Sequence, residues 1–382
     1  MFPGPAYDPL NAGGICRLYH LWRFCSIGLI SCGKKIAPGA RLHHFGYCNE
    51  PSGENLHIMR MPNQILTRIF VVVLLTIALY VAGALAFGWR GILQNLRSVP
   101  PSQLVLVAML SLVNYALRFW RWERFLRQLH TVIPLRASLG IYFSAYVMVI
   151  TPGKVGEVFK AGLLKDRQGA GLAVGLPIIL AERIYDFLGV MILAVVGLSF
   201  WPGPLTGLTS GLVAAAALPA FLLLLRNKRL RQALLARVSR TARFSDHGVA
   251  LNDALSNFGA LLQPARGISM LALSTVAWLC EALGMYLVCQ SLGLDVGIGD
   301  AVFIYAAGTI VGSLSFLPGG LGGTEATIVW LLGVLGAAGS TAASAAILIR
   351  VFTLWLAVVL GFAAMAQFRQ EIIPGRSASE TD

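Results

Sequence analysis

Residues 172–200 read LAVGLPIILAERIYDFLGVMILAVVGLSF, and this stretch decides the fold. A membrane span takes about 20 predominantly apolar residues, so the run is long enough to cross a bilayer. Glu182, Arg183 and Asp186 nevertheless stand near its middle. A charge at the bilayer centre costs about 2.5–3.5 kcal/mol even on lenient insertion scales, so such groups face one another, a water-filled cavity or the interface. Arg183 and Asp186 lie three residues apart on one helix face, close enough to satisfy each other.

The rest of the chain has the same character. Of its 382 residues, 57% are hydrophobic and 12% charged, where a soluble domain carries about 45–50% and about 25%. Mean hydropathy is +0.72. These values exclude an ordinary soluble enzyme and a disordered scaffold. The net charge is nonetheless +13, with 30 Lys and Arg against 17 Asp and Glu. An oily chain that is also basic fits a multispanning membrane protein with its basic residues in loops on one side. It lacks the continuous polar surface that a nucleic-acid partner would need.

Further spans are predicted at Ile65–Gly88, Leu104–Phe119, Leu208–Leu225, Ile268–Gln290 and Ala342–Gln367. Two apolar stretches are broken. Leu139–Leu164 is split at Pro152, Gly153, Lys154 and Gly156, and Ala301–Leu335 is split at Pro318, Gly319, Gly320, Gly322 and Gly323. The arms of the first are too short to cross, which predicts a helical hairpin that enters and leaves on one side. The arms of the second are longer and leave two full spans open. The expected fold is therefore all-α and polytopic, with six spans and two broken or re-entrant hairpins, or eight spans.

With the amino terminus inside and the chain read from Met59, the cytoplasmic segments collect 20 Lys and Arg and the external ones collect two, Arg90 and Arg97. That asymmetry orients both termini to the cytoplasm of a plasma (inner) membrane. The same layout places the two hairpins on opposite sides, which predicts an inverted repeat. Each half reads hairpin, Pro-Gly break, acid, then a span carrying an arginine. Pro152 precedes Arg183 by 31 residues and Pro318 precedes Arg350 by 32. Broken helices at matching places in two inverted halves are the sequence pointer to a transporter-type binding site.

The candidate binding residues are accordingly Lys154, Glu157, Lys160, Glu182, Arg183, Asp186, Glu325 and Arg350. Helix N-termini at the two breaks favour anions, and the glycines let backbone approach a guest. Counting Lys154, Arg183 and Arg350 against Glu157, Glu182, Asp186, Glu281 and Glu325, the embedded charges lean negative. Glu281 is read as structural or interfacial. The five arginines of Arg118–Arg136 are assigned to a cytoplasmic loop.

Residues 1–58 do not conform to this pattern. They hold four of the six cysteines, Cys16, Cys25, Cys32 and Cys48, without a CxxC pair, so no metal site is assigned. The stretch is read as a misassigned start or a cytoplasmic tail, ahead of a membrane domain at 59–370 and a short tail at 371–382. GxxxxGK[ST], HExxH and GxSxG are all missing, and no cofactor is expected.

In order, the motifs Arg118-Phe119-Trp120-Arg121-Trp122, Pro152-Gly153-Lys154-Val155-Gly156-Glu157 with Lys160, Glu182-Arg183 with Asp186, Pro318-Gly319-Gly320-Leu321-Gly322 with Glu325, and Arg350 resemble the transmembrane flippase-like domain of lysylphosphatidylglycerol synthases. The resemblance covers about Gln64–Arg369. The second break carries Gly323-Thr324 before its acid, a longer spacing than the family's. The resemblance implies translocation of aminoacylated phospholipids or, as in relatives beside glycolipid and hopanoid pathways, handling of polyprenyl-type lipids. Its partners would be membrane lipid and lipid-biosynthetic enzymes. Bifunctional members carry a soluble aminoacyl-transfer domain after the membrane part, whereas this chain stops at Asp382, so lysyl transfer is not expected. Two rival readings remain: a membrane transferase that uses a lipid-phosphate donor, with Glu157, Glu182 or Asp186 as base, and an accessory subunit of a lipid-biosynthetic complex.

Overall fold

The computed structural model describes residues 74, 78, 80–83, 85–150, 157–168, 171–202 and 248–368. The stretch 1–58, the predicted span Leu208–Leu225, the tail 371–382 and the break residues Pro152, Gly153, Lys154 and Gly156 lie outside them. Among the described residues the chain is helical without strands. It is an all-α, polytopic membrane protein.

After α1 (Trp89–Ser98), Pro101 opens the 28-residue α2 (Pro101–Gln128). Proline suits this first-turn position, where its missing N–H would be unpaired anyway. The first hairpin follows. It consists of α3 (Leu135–Ser144), which tightens into a 3₁₀ turn over Ala145–Ile150, and α4 (Val158–Gln168). The 27-residue α5 (Leu172–Leu198) completes this half.

The second half repeats that order. A bridging helix, α6 (Gly248–Leu261), leads into the 28-residue α7 (Pro264–Ser291). The second hairpin is α8 (Ile298–Leu314), a 3₁₀ turn at Pro318–Gly320 and α9 (Gly323–Val334). At 12 residues, or about 18 Å, α9 falls short of a hydrocarbon core of about 30 Å. The second hairpin therefore has a short arm, as the first does. The closing segment is α10 (Gly339–Arg350), a π-helical turn over Val351–Trp355, and α11 (Leu356–Gln367). By length and composition Pro101–Gln128, Arg266–Ser291 and Gly339–Gln367 can each cross a membrane. The three charges of α5 stand near the middle of an equally long apolar helix.

The two long leading helices pack on each other and run antiparallel. Val107 faces Gly284, Asn114 donates to the Ala277 carbonyl at 2.7 Å, and Arg121 reaches Ser274. Antiparallel corresponding helices are what an inverted repeat requires. The hairpins pack reciprocally as well. The first arm of each meets the long segment of the other half, α8 on α5 and α3 on α11, while the second arm meets its own, α4 on α5 and α9 on α10. The two 3₁₀ breaks thereby touch each other.

Small residues set the closeness of these contacts. A Cβ on Gly189 of α5 would sit 3.1 Å from the Thr275 backbone nitrogen of α7. At the second break Gly319, Gly320 and Gly322 take φ of 61°, 68° and 84°, a region that other L-residues rarely occupy. Buried apolar side chains form one cluster around Met285, Ile304, Ile328 and Ile349 and another around Trp122, Phe125, Ile141 and Tyr185. The candidate site lies where the two halves meet.

Candidate functional site

On α5, Asp186 is the hub. It is 4% exposed. Its Oδ1 accepts from Arg121 Nη1 at 2.7 Å, Ser274 Oγ at 3.0 Å and Trp278 Nε1 at 3.1 Å. Its Oδ2 meets Arg118 Nη2 at 3.0 Å and Arg183 Nη2 at 3.5 Å. A buried carboxylate keeps its charge only when paired and hydrogen-bonded in this way. Arg118 in turn lies 5.4 Å from the centre of the Trp278 ring, within cation–π range.

One turn away on the same helix, Glu182 pairs with Lys160 of α4, both buried. Lys160 Nζ also lies 4.5 Å from the Trp122 ring and 4.8 Å from the Tyr142 ring. Arg183 Nη2 pairs with Glu157, at the head of α4, at 2.8 Å. In the second half Arg350 Nε pairs with Glu325 Oε1, also at 2.8 Å, and Arg350 Nη2 donates to the Gly319 carbonyl. Glu325 Oε2 accepts the Gly322 N–H at 2.7 Å, closing the first turn of α9. The acid beside each break thus binds the arginine of the long segment that follows it.

Seven of the eight candidate residues fall into these pairs, and Lys154 lies outside the described residues. Pro318, Gly319, Gly320 and Gly322 form the second break, where the Gly319 carbonyl and the Gly322 amide are the backbone groups used.

Two readings of the sequence need correction. Arg118 and Arg121 belong to α2, which runs nine residues past Phe119, and Arg121 is 1% exposed. Their signal was present: Tyr115, Trp122, Phe125 and Leu126 continue the buried face of α2 at helical spacing. The embedded set, secondly, gains three cations that the sequence count left out of it, Arg118, Arg121 and Lys160. Glu281, assigned a structural role, accepts a hydrogen bond from Tyr305 and lines the cavity described next.

Arg118, Arg183 and Arg350 all line one cavity of about 340 Å³, with Asp186 and Glu281. The Nε groups of Arg118 and Arg183 are buried without an acceptor among the described residues. Apolar side chains share the wall, among them Phe187, Val190, Leu314 and Leu317. Phe316 projects at its edge, 73% exposed and with φ of 53°.

Two repeated halves of long helices and broken hairpins, meeting at a cavity lined by charged and apolar side chains, define a polytopic membrane protein. The chain belongs to the family described as lysylphosphatidylglycerol synthase TM region, whose model matches residues 65–361. It is also similar to membrane proteins named UPF0104. One, from Methanothermobacter thermautotrophicus strain Delta H, matches at 36% identity over 89 residues, which is 23% of this chain and 27% of the relative. A longer match of the same name and organism has 21% identity over 324 residues, covering 79% of this chain and 96% of the relative. A third, from Methanocaldococcus jannaschii, has 22% identity over 221 residues, covering 56% and 91%.

Proposed function

We propose that the chain translocates a lipid across the membrane, with the headgroup in the central cavity and the tails along its apolar edge. One observation carries this reading. Guanidinium groups from both halves, on Arg183 and Arg350, line the same cavity of about 340 Å³, whose rim bears Leu314, Phe316 and Leu317. A polar interior beside an apolar rim suits an amphiphile, and the arginines suit an anionic headgroup such as that of an anionic phospholipid or a polyprenyl phosphate. The antiparallel repeat supports the rest of the reading. Halves inserted in opposite senses let one site face either side by rocking one against the other. The excess of basic residues in the connecting loops supports an orientation with both termini in the cytoplasm.

Reconstitution of the purified chain in liposomes tests this. Wild-type protein is expected to equilibrate a fluorescent anionic lipid between leaflets. Arg183→Ala and Arg350→Ala are expected to slow that exchange about tenfold to a hundredfold, the loss of one charge-assisted contact, with normal membrane insertion. Unchanged exchange in both variants would remove the site. Formation of a new lipid product would favour the transferase, and inactivity without added partners would favour the accessory subunit.

A further inference from the structure

The short helix α1 carries chemistry that the central cavity does not use. Gly88, at φ of 86°, ends the helical run before it, and extended Val99 and Pro100 separate it from α2. At 10 residues, or about 15 Å, α1 covers only half of a hydrocarbon core of about 30 Å. A short helix set off by backbone breaks ahead of a spanning helix belongs at the membrane surface. It lies at the opening end of α2, away from the end that bears Arg124 and Arg127. Its inner face is anchored on α10. Ile92 is buried, Asn95 Nδ2 donates to Thr341 Oγ1 at 3.3 Å and to Ser344 Oγ at 3.4 Å, and a Cβ on Gly91 would sit 3.2 Å from that of Ser340. Among the described residues that line the central cavity, none belongs to α1.

The outer face combines apolar and basic groups. Trp89, Leu93 and Arg97 follow one another at four-residue spacing along the exposed side, and Arg90 stands beside them. The Arg90 guanidinium lies 5.5 Å from the centre of the Trp89 ring, which is half exposed. Neither arginine pairs with an acid among the described residues. Helix stability accounts for one of them, since Arg97 in the last turn complements the negative end of the dipole. Arg90 stands at the other end, where a cation is unfavourable, and the first turn holds no acid to offset it. On the orientation that the loop charges favour, Arg90 and Arg97 are also the two basic residues of the surface opposite the basic loops. We propose that α1 is a surface site for anionic lipid, distinct from the central cavity: Arg90 and Arg97 take headgroup phosphates, and Trp89 and Leu93 meet the acyl chains. Tryptophan and leucine at the acyl boundary with arginines at headgroup level are the pattern of a helix lying on anionic lipid. A zwitterionic headgroup brings its own cation to the phosphate, so a net negative lipid is preferred. From Ser340 to Arg350 α10 runs about 15 Å, so lipid held at α1 braces the segment that carries the second cavity arginine.

Quenching of Trp89 emission, with the purified full chain in phosphatidylcholine nanodiscs, tests the proposal. Brominated phosphatidylglycerol and brominated phosphatidylcholine are the two probes, and the Trp89 signal is that of wild type minus that of Trp89→Phe. Phosphatidylglycerol is expected to quench it at lower mole fraction, by about fivefold for each arginine engaged. Arg90→Gln and Arg97→Gln are each expected to remove about fivefold of that preference, and the double variant all of it. Salt at about 1 M, where the Debye length is about 3 Å, is expected to weaken the preference in wild type. Should Arg97→Gln fail to accumulate, Arg90→Gln and the salt titration decide. Equal quenching by the two lipids overturns the proposal, and so does a preference that survives in the double variant. Quenching by neither lipid removes α1 from the membrane surface and overturns it as well. None of these outcomes depends on leaflet exchange, so translocation stands or falls separately.

Discussion

The two halves solve one problem in different ways. Each must hold an arginine in the protein interior beside a broken hairpin, and each does so with the acid next to the break, at 2.8 Å in both cases. In the first half that pair is one edge of a larger network. Arg183 also meets Asp186, which gathers Arg118 and Arg121 from α2. In the second half the pair stands apart from any such hub. Arg350 completes its bonding with the Gly319 carbonyl, and its acid caps α9. The first half therefore holds its arginine by charge summed over several groups. The second holds it by the fork geometry of one guanidinium.

The largest effect expected from this contrast is at Asp186. Asp186→Ala leaves Arg118 and Arg121 buried without their carboxylate, and Arg183 with Glu157 alone. Removing one member of a buried ionic set costs about 3–5 kcal/mol. The variant should show a sharply lowered melting temperature, or fail to accumulate, in detergent. Melting like wild type would show that the hub contributes nothing to stability and that the halves are equivalent.

An arginine-to-lysine exchange in each half sharpens the comparison at smaller scale. Lysine offers a point charge without the planar fork. Arg183 reaches both of its acids through Nη2, whereas Arg350 uses Nε for Glu325 and Nη2 for Gly319. Arg183→Lys should therefore stay within about 1 kcal/mol of wild type, while Arg350→Lys loses a charge-assisted bond worth about 1.5–3 kcal/mol. Equal losses in thermal unfolding would contradict the distinction between summed charge and fork geometry.

Much of this arrangement was legible in the chain. The pairing of two broken stretches with two late arginines gave the repeat, because a cluster of Pro with several Gly interrupts a helix and the 31- and 32-residue intervals are visible without a structure. The hub was half legible. Asp186 and Arg183 are close in sequence, but Ser274 and Trp278 lie on another helix, and no local pattern announces them. Arg118 and Arg121 were hidden for a different reason. Charge ended the predicted span at Phe119, yet a helix continues through buried arginines once their charge is matched by an acid from elsewhere. The π turn was not legible at all. Val351-Phe352-Thr353-Leu354-Trp355 is an ordinary apolar run, and only packing decides that it widens.

That π turn also separates the halves, since α5 runs unbroken past Arg183 while the helix widens directly after Arg350. Such single-turn bulges often sit at functional sites, and the wider turn disturbs the regular i→i−4 bonding. Here the hydroxyl of Tyr115, on α2, lies 3.0 Å from the Phe352 carbonyl and 3.2 Å from that of Thr353, so it supplies a donor where the ladder is irregular. Tyr115→Phe removes that donor and nothing else from a residue 2% exposed. The expected loss is about 0.5–1.5 kcal/mol, the net value of one hydrogen bond and the smallest of the three effects. If the turn also sets the direction of Arg350, the same variant should slow lipid exchange more than its stability loss explains, because the phenylalanine ring keeps the packing while the turn is free to relax. Exchange at the wild-type rate with the expected stability loss would confine Tyr115 to support of the bulge, and would leave the direction of Arg350 to its bonds with Glu325 and the Gly319 carbonyl.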